Sequence, residues 1–85
     1  MKRTTKRRKF KKQYWSLRIA ALVPSTDIWV GDDGGHLVQK ETGSMVTSLL
    51  PGNYTVEFGH GTRRHPFTLD RDLAIRQVTG GVEIG

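Results

Sequence analysis

The chain has 85 residues, room for one small domain, and no cysteine, which excludes a disulfide framework and a thiolate metal site. Its 14 Lys and Arg against 8 Asp and Glu give +6, but the excess is local: residues 2–12 hold eight cations and no acid, while the remainder holds six cations and eight acids. That division excludes a uniformly basic surface, and the one apolar run after the arm, residues 17–23, is broken by Arg18 and is too short for the roughly 20 residues of a bilayer span.

In chain order, residues 1–12 form a basic arm whose self-repulsion and low hydrophobicity, with Phe10 its one large apolar side chain apart from Met1, predict disorder until a polyanion is bound. Residues 13–85 read as a single β domain. The first strand is expected over 14–23, with Trp15, Leu17, Ile19, Ala21 and Val23 on one face. Turn chemistry at 24–27 leads to a short strand, Ile28-Trp29-Val30. The dense turn Gly31-Asp32-Asp33-Gly34-Gly35 then sets up a hairpin with a return strand over 36–40. Residues 45–50 fit two periods: Met45, Val46, Leu49 and Leu50 have helical spacing, whereas Val46, Ser48 and Leu50 alternate; the β surroundings favour a strand.

The plainest signal is the stretch from Leu50 to Phe58. Pro51 and Gly52 are read as the central residues of a type II turn, with Gly52 at positive φ, and Tyr54, Val56 and Phe58 alternate with Thr55 and Glu57. Residues 63–69 follow as a strand with Phe67 and Leu69 inward. Pro66 assigns it to a sheet edge, because proline has no N–H for the ladder. Leu73 and Ile75 mark a further strand. Val82-Glu83-Ile84 is either a short edge strand or a frayed tail. Short strands every 8–12 residues between Gly-rich turns predict a small antiparallel β-sandwich of six to seven strands.

Three pieces carry a resemblance: Ile28-Trp29-Val30-Gly31-Asp32, the run from Leu49 through Pro51, Gly52 and Tyr54 to Phe58, and Phe67-Thr68-Leu69. Over residues 21–77 the pattern resembles the PEGA-type β-sandwich modules, within the wider class of small Ig-like sandwiches. The resemblance implies a non-catalytic interaction or spacer module and carries over no active-site residue.

For function, the arm is the sharpest feature. Lys2, Arg3, Lys6, Arg7, Arg8, Lys9, Lys11 and Lys12 are the candidate nucleic-acid-binding residues, able to neutralise phosphates without reading sequence. If about five of them engage duplex nucleic acid, log K falls with log salt at a slope near −4 to −5. An acidic protein or an anionic surface is the other class of partner. Phe10, Tyr14 and Trp15 are candidates for stacking on unpaired bases, against an alternative of core packing for Trp15. Arg63, Arg64 and His65 beside His60 form a second candidate anion contact, against an alternative of charge that discourages edge pairing.

Metal binding by His36, His60 and His65, or by Asp27, Asp32 and Asp33, lacks the ligand spacing of known zinc or calcium sites. No cofactor is expected. No nucleophile elbow or phosphate-binding Gly-Lys-Ser/Thr loop occurs, so no catalytic residue is assigned. The residues describe a non-enzymatic adaptor: a sandwich that docks on a protein through a strand edge or a Trp29-centred patch, and an arm for nucleic acid or another polyanion. The alternative is a phage or virion accessory protein whose arm contacts packaged genome. The expected location is accordingly cytoplasmic, or the virion.

Overall fold

A computed structural model describes residues 13–59, 61 and 63–85; the eight arm cations and the expected disorder of residues 1–12 lie outside the described residues. Eight strands follow in order: β1 (Trp15–Ala20), β2 (Asp27–Asp32), β3 (Leu37–Thr42), β4 (Ser44–Leu49), β5 (Gly52–Phe58), β6 (Arg64–Leu69), β7 (Leu73–Val78) and β8 (Gly81–Ile84). They form two four-stranded sheets. Sheet A has the order β4-β1-β7-β8 and sheet B the order β3-β2-β5-β6.

The core lies between the sheets because each inner face repeats apolar residues at the period of two that a half-buried strand requires. Sheet A contributes Leu17, Ile19, Met45, Leu73 and Ile75; sheet B contributes Ile28, Val30, Val56, Phe58, Phe67 and Leu69. All eleven are buried, and among the described residues no charged or polar one is buried with them. Each aliphatic or aromatic side chain so placed contributes on the order of 1.5–3 kcal/mol relative to exposure. Phe67 also stacks on Tyr54, with ring centroids 5.9 Å apart. The Tyr54 hydroxyl donates to the Leu50 carbonyl at 2.6 Å, so the polar end of that ring has a partner.

Four expectations change. The expected six to seven strands become eight, because residues 81–84 pair with β7, from Val78↔Gly81 to Ile75↔Ile84. The sheets are not wholly antiparallel: β1 and β7 run parallel, with Leu17 opposite Leu73 and Ile19 opposite Ile75. A parallel pair needs a long crossover, here everything from residue 21 to 72, so no local turn signal announces it. Gly52 is not at positive φ; that conformation belongs to Gly35, Gly43, Gly59, Gly61 and Gly80. Gly52 instead opens β5 opposite Leu69. The reason is that β4 and β5 lie in different sheets, so Leu50-Pro51 turns a corner of the sandwich rather than closing a hairpin.

β1 is also shorter than expected. After Ala20 the chain leaves the sheet, the Ala21 N–H going to the Gly43 carbonyl at 2.9 Å and the Leu22 N–H to Gln77 Oε1 at 2.9 Å. Leu22 and Val23 are exposed. Gly43 carries the chain from β3 in sheet B to β4 in sheet A within one residue. Its φ is +82°, and a Cβ there would meet the Pro24 carbonyl oxygen at 2.6 Å, so only glycine fits. β3 and β4 therefore run along the same margin of the sandwich, one above the other.

Candidate functional site

The arm leads directly into β1, an interior strand of sheet A. The Ser16 N–H donates to Asp72 Oδ1 at 2.8 Å, which ties the start of β1 to the β6–β7 turn. Tyr14 is 54% exposed at the point where the arm joins, so its ring is open to a partner; Trp15 is half-buried and packs on the core. Of the three aromatic candidates, Phe10 lies outside the described residues, and of the other two only Tyr14 keeps the exposure that base stacking needs.

The outer face of sheet B carries a row of cross-strand neighbours, Lys40, Trp29, Glu57 and Arg64, one from each strand. The Lys40 ammonium lies 5.1 Å from the centre of the Trp29 ring, a cation–π contact. Lys40 Nζ also reaches Asp27 Oδ2 at 3.9 Å, and Arg64 Nε reaches Glu57 Oε1 at 3.4 Å. Beside this row Gly31 leaves a dip, continuous with an open depression of about 360 Å³ bordered by Asp32, Asn53, Arg64 and Thr68. The groups around it satisfy one another. Thr68 donates to Asn53 at 2.9 Å, and Asp32 Oδ1 accepts the N–H groups of Gly34 at 3.0 Å and His36 at 2.9 Å. Those bonds, chiefly the one from His36, hold the Asp32 carboxyl below its ordinary pKa despite some opposing desolvation. The expected Trp29-centred patch is thus a half-buried indole beneath a lysine, framed by ion pairs.

The second candidate anion contact does not assemble on one face. Arg64 faces outward to Glu57, while His65 points between the sheets, its ring 6.4 Å from Phe58. His60 lies outside the described residues. Asp27 is engaged by Thr42 at 2.8 Å and by Lys40, and Asp32 by its own turn. Among the described residues no three His, Cys, Asp or Glu converge as metal ligands, and no helix is long and apolar enough to cross a membrane.

The edges differ more sharply than the faces. Main-chain groups on an edge are a template for another strand, and three of the four edges carry recognised obstacles to it. At the middle of β6, Pro66 has no N–H to donate, and Arg64 adds charge. β8 is four residues long and includes Glu83, which pairs with Arg76. β3 has an irregularity opposite the Val30/Gly31 step, where the register shifts. It also carries Glu41 opposite the buried Ile28, a carboxylate on the inward side of an exposed edge.

β4, Ser-Met-Val-Thr-Ser-Leu, has no charge, no proline and no bulge. It lies within the longest uncharged run of the chain, residues 42–56. Val46 on it is 68% exposed, the most exposed large apolar side chain among the described residues. Leu37, Val38 and Leu50 continue the exposed apolar margin along β3 and past the end of β4.

The phase of the ladder shows what β4 offers. Bonded pairs alternate along an antiparallel ladder, and the Ala21-to-Gly43 bond fixes which ones they are. Met45, Thr47 and Leu49 exchange bonds with Ile19, Leu17 and Trp15. Ser44, Val46 and Ser48 aim both N–H and C=O away from β1, toward solvent. Sequence reading expected a docking edge without saying which. The signal was present as the uncharged run, but it identifies an edge only once the strand order is known.

No protein-family model, curated protein or solved structure matches this chain.

Proposed function

We propose that the protein is a non-enzymatic adaptor of PEGA-like character, with the open edge of β4 as the protein-docking surface of the sandwich and residues 2–12 as its contact with nucleic acid or another polyanion. One observation carries the reading: β4 alone among the described edges lacks charge, proline and bulge, and it pairs with β1, the strand to which the arm is attached. A partner strand gains main-chain bonds at Ser44, Val46 and Ser48. The arm adds long-range attraction and tethers the docked complex to the polyanion. The charge division supports the same assignment, since the eight arm cations contrast with two net negative charges on residues 13–85. A virion accessory role is the second reading; the β4 edge favours it to the extent that it pairs repeating subunits.

The test is salt-dependent binding of the full chain to duplex DNA and to RNA. The arm accounts for a slope of about −4 to −5 in log K against log salt. The quadruple variant Lys6→Gln, Arg7→Gln, Arg8→Gln, Lys9→Gln is expected to flatten that slope by about 3 to 4 while circular dichroism stays unchanged. A variant that keeps the full slope would place polyanion binding on the sandwich and end this division of labour.

A further inference from the structure

We infer that β4 pairs with β4 of a second copy of this chain, joining two A sheets into one eight-stranded sheet across a two-fold axis at Val46. The inference rests on the docking reading of that edge and names its occupant. Its basis is that the strand is complementary to itself. Reversed about Val46, Ser44 meets Ser48 of the partner and Ser48 meets Ser44, while Val46 meets its own copy. These three positions are the ones whose N–H and C=O groups face outward, so an antiparallel pairing in this register closes six main-chain hydrogen bonds.

No like charges are placed opposite each other, which is the usual obstacle to edge pairing. The two exposed valines cover one another on the outer face. On the inner face half-buried Thr47 comes beside buried Met45 of the partner, so the core continues across the junction. The interface is isologous, and the closed two-fold leaves no second β4 edge to propagate a fibre.

The same geometry places the arms. β1 is antiparallel to β4, so the two β1 strands of the dimer point in opposite directions and their Trp15 ends fall at opposite corners of the joined sheet. Six residues along the strand and three strand spacings across it separate them by about 25 Å. That is several times the ~8 Å screening length at physiological salt, so the two cationic arms repel little and are presented as a bivalent pair.

Sedimentation equilibrium of the full chain, from low to several hundred micromolar, tests the inference alongside amide exchange at both ends of that range. The expected result is a monomer–dimer equilibrium in which the amides of Ser44, Val46 and Ser48 gain protection with concentration, while those of Met45, Thr47 and Leu49 are protected throughout. Val46→Lys sets two ammonium groups opposite each other and uncovers both valine sites. It is expected to weaken dimerisation on the order of a hundredfold, with the thermal transition of the monomer retained, since Val46 is exposed there. A dimer unaffected by Val46→Lys overturns the inference by placing the interface elsewhere. A monomer at all concentrations with unprotected Ser44, Val46 and Ser48 amides also overturns it, yet leaves the edge open to a different protein. Protection of those amides in a monomer overturns both the self-pairing and the docking role of β4.

Discussion

Sheet B ends on β3 and β6, where a register shift, an inward carboxylate at Glu41 and the imino acid Pro66 interrupt the exposed main chain; sheet A ends on β4, which has none of these, and on the four-residue β8. Both sheets are built from the same apolar alternation and share one core, so stability does not require the difference. What differs is how far each edge interrupts its exposed main chain. The chain spends charge and proline on the edges of sheet B and on β8, and leaves six consecutive uncharged residues on β4. In a protein whose cations are concentrated in the arm, this uncharged edge is the one on which the proposed docking of another strand rests.

The largest effect on this contrast is expected at Gly43, where the guarded edge β3 passes into the open edge β4. Alanine there must adopt φ near +82° and fit a Cβ 2.6 Å from the Pro24 carbonyl oxygen. Gly43→Ala is expected to cost about 2–3 kcal/mol in chemical denaturation, from backbone strain together with displacement of the 24–26 loop. If the cost is near zero, the corner is pliable, and β3 and β4 are not held in fixed relation as edges of one margin.

The strands themselves were legible. The alternation of Tyr54, Val56 and Phe58, the inward pair Phe67 and Leu69, and the edge position of Pro66 all read correctly from residue order, because burial has a period of two and proline lacks a donor. Residues 45–50 were legible as strand but not in phase. Met45 is the buried residue, while Val46 and Ser48 face solvent. A short run with apolar residues on both faces does not say which one meets the core. The corner at Pro51-Gly52 was misread because hairpins and inter-sheet crossings use the same turn residues. The β1–β7 pairing lay out of reach, since partners more than fifty residues apart leave no local trace. For the same reason the sequence pointed to edge docking and left the edge unnamed: four strands qualify as edges only after the pairing order is known.

A smaller effect sharpens the comparison from the guarded side. Pro66→Thr restores an N–H to the middle of β6 without changing the core, because the Pro66 side chain lies on the outer, exposed face. In the Val46→Lys background, where β4 is blocked, self-association through β6 is expected to rise about fivefold for each N–H so restored, the equivalent of ~1 kcal/mol. Sedimentation velocity at high concentration reads the change. No increase would mean that Arg64 and the other β6 side chains guard the edge without help from proline.

The smallest effect concerns the turn that closes the β2–β3 hairpin and so holds the guarded edge in register. Asp32 Oδ1 accepts from the Gly34 and His36 N–H groups and lies 3.4 Å from His36 Nδ1. The His36 main-chain bond is the largest cause of its lowered pKa, followed on the same side by the Gly34 bond and the charge of His36 when protonated. The sign follows from linkage. A carboxyl with a pKa lower in the folded state than in the unfolded chain binds fewer protons when folded, so its stabilisation is complete above the unfolded value. It is lost as pH falls through the lowered folded value. The exchange rates of the Gly34 and His36 amides, corrected for intrinsic pH dependence, are therefore expected to rise as pH drops below the ordinary carboxylate value of 3.8. Asp32→Asn keeps an oxygen acceptor but cannot titrate there, and should flatten that response. If the Asp32 carboxyl signal instead titrates at or above the ordinary value, its charge does not hold this turn, and the register of β3 must come from the β2 ladder alone.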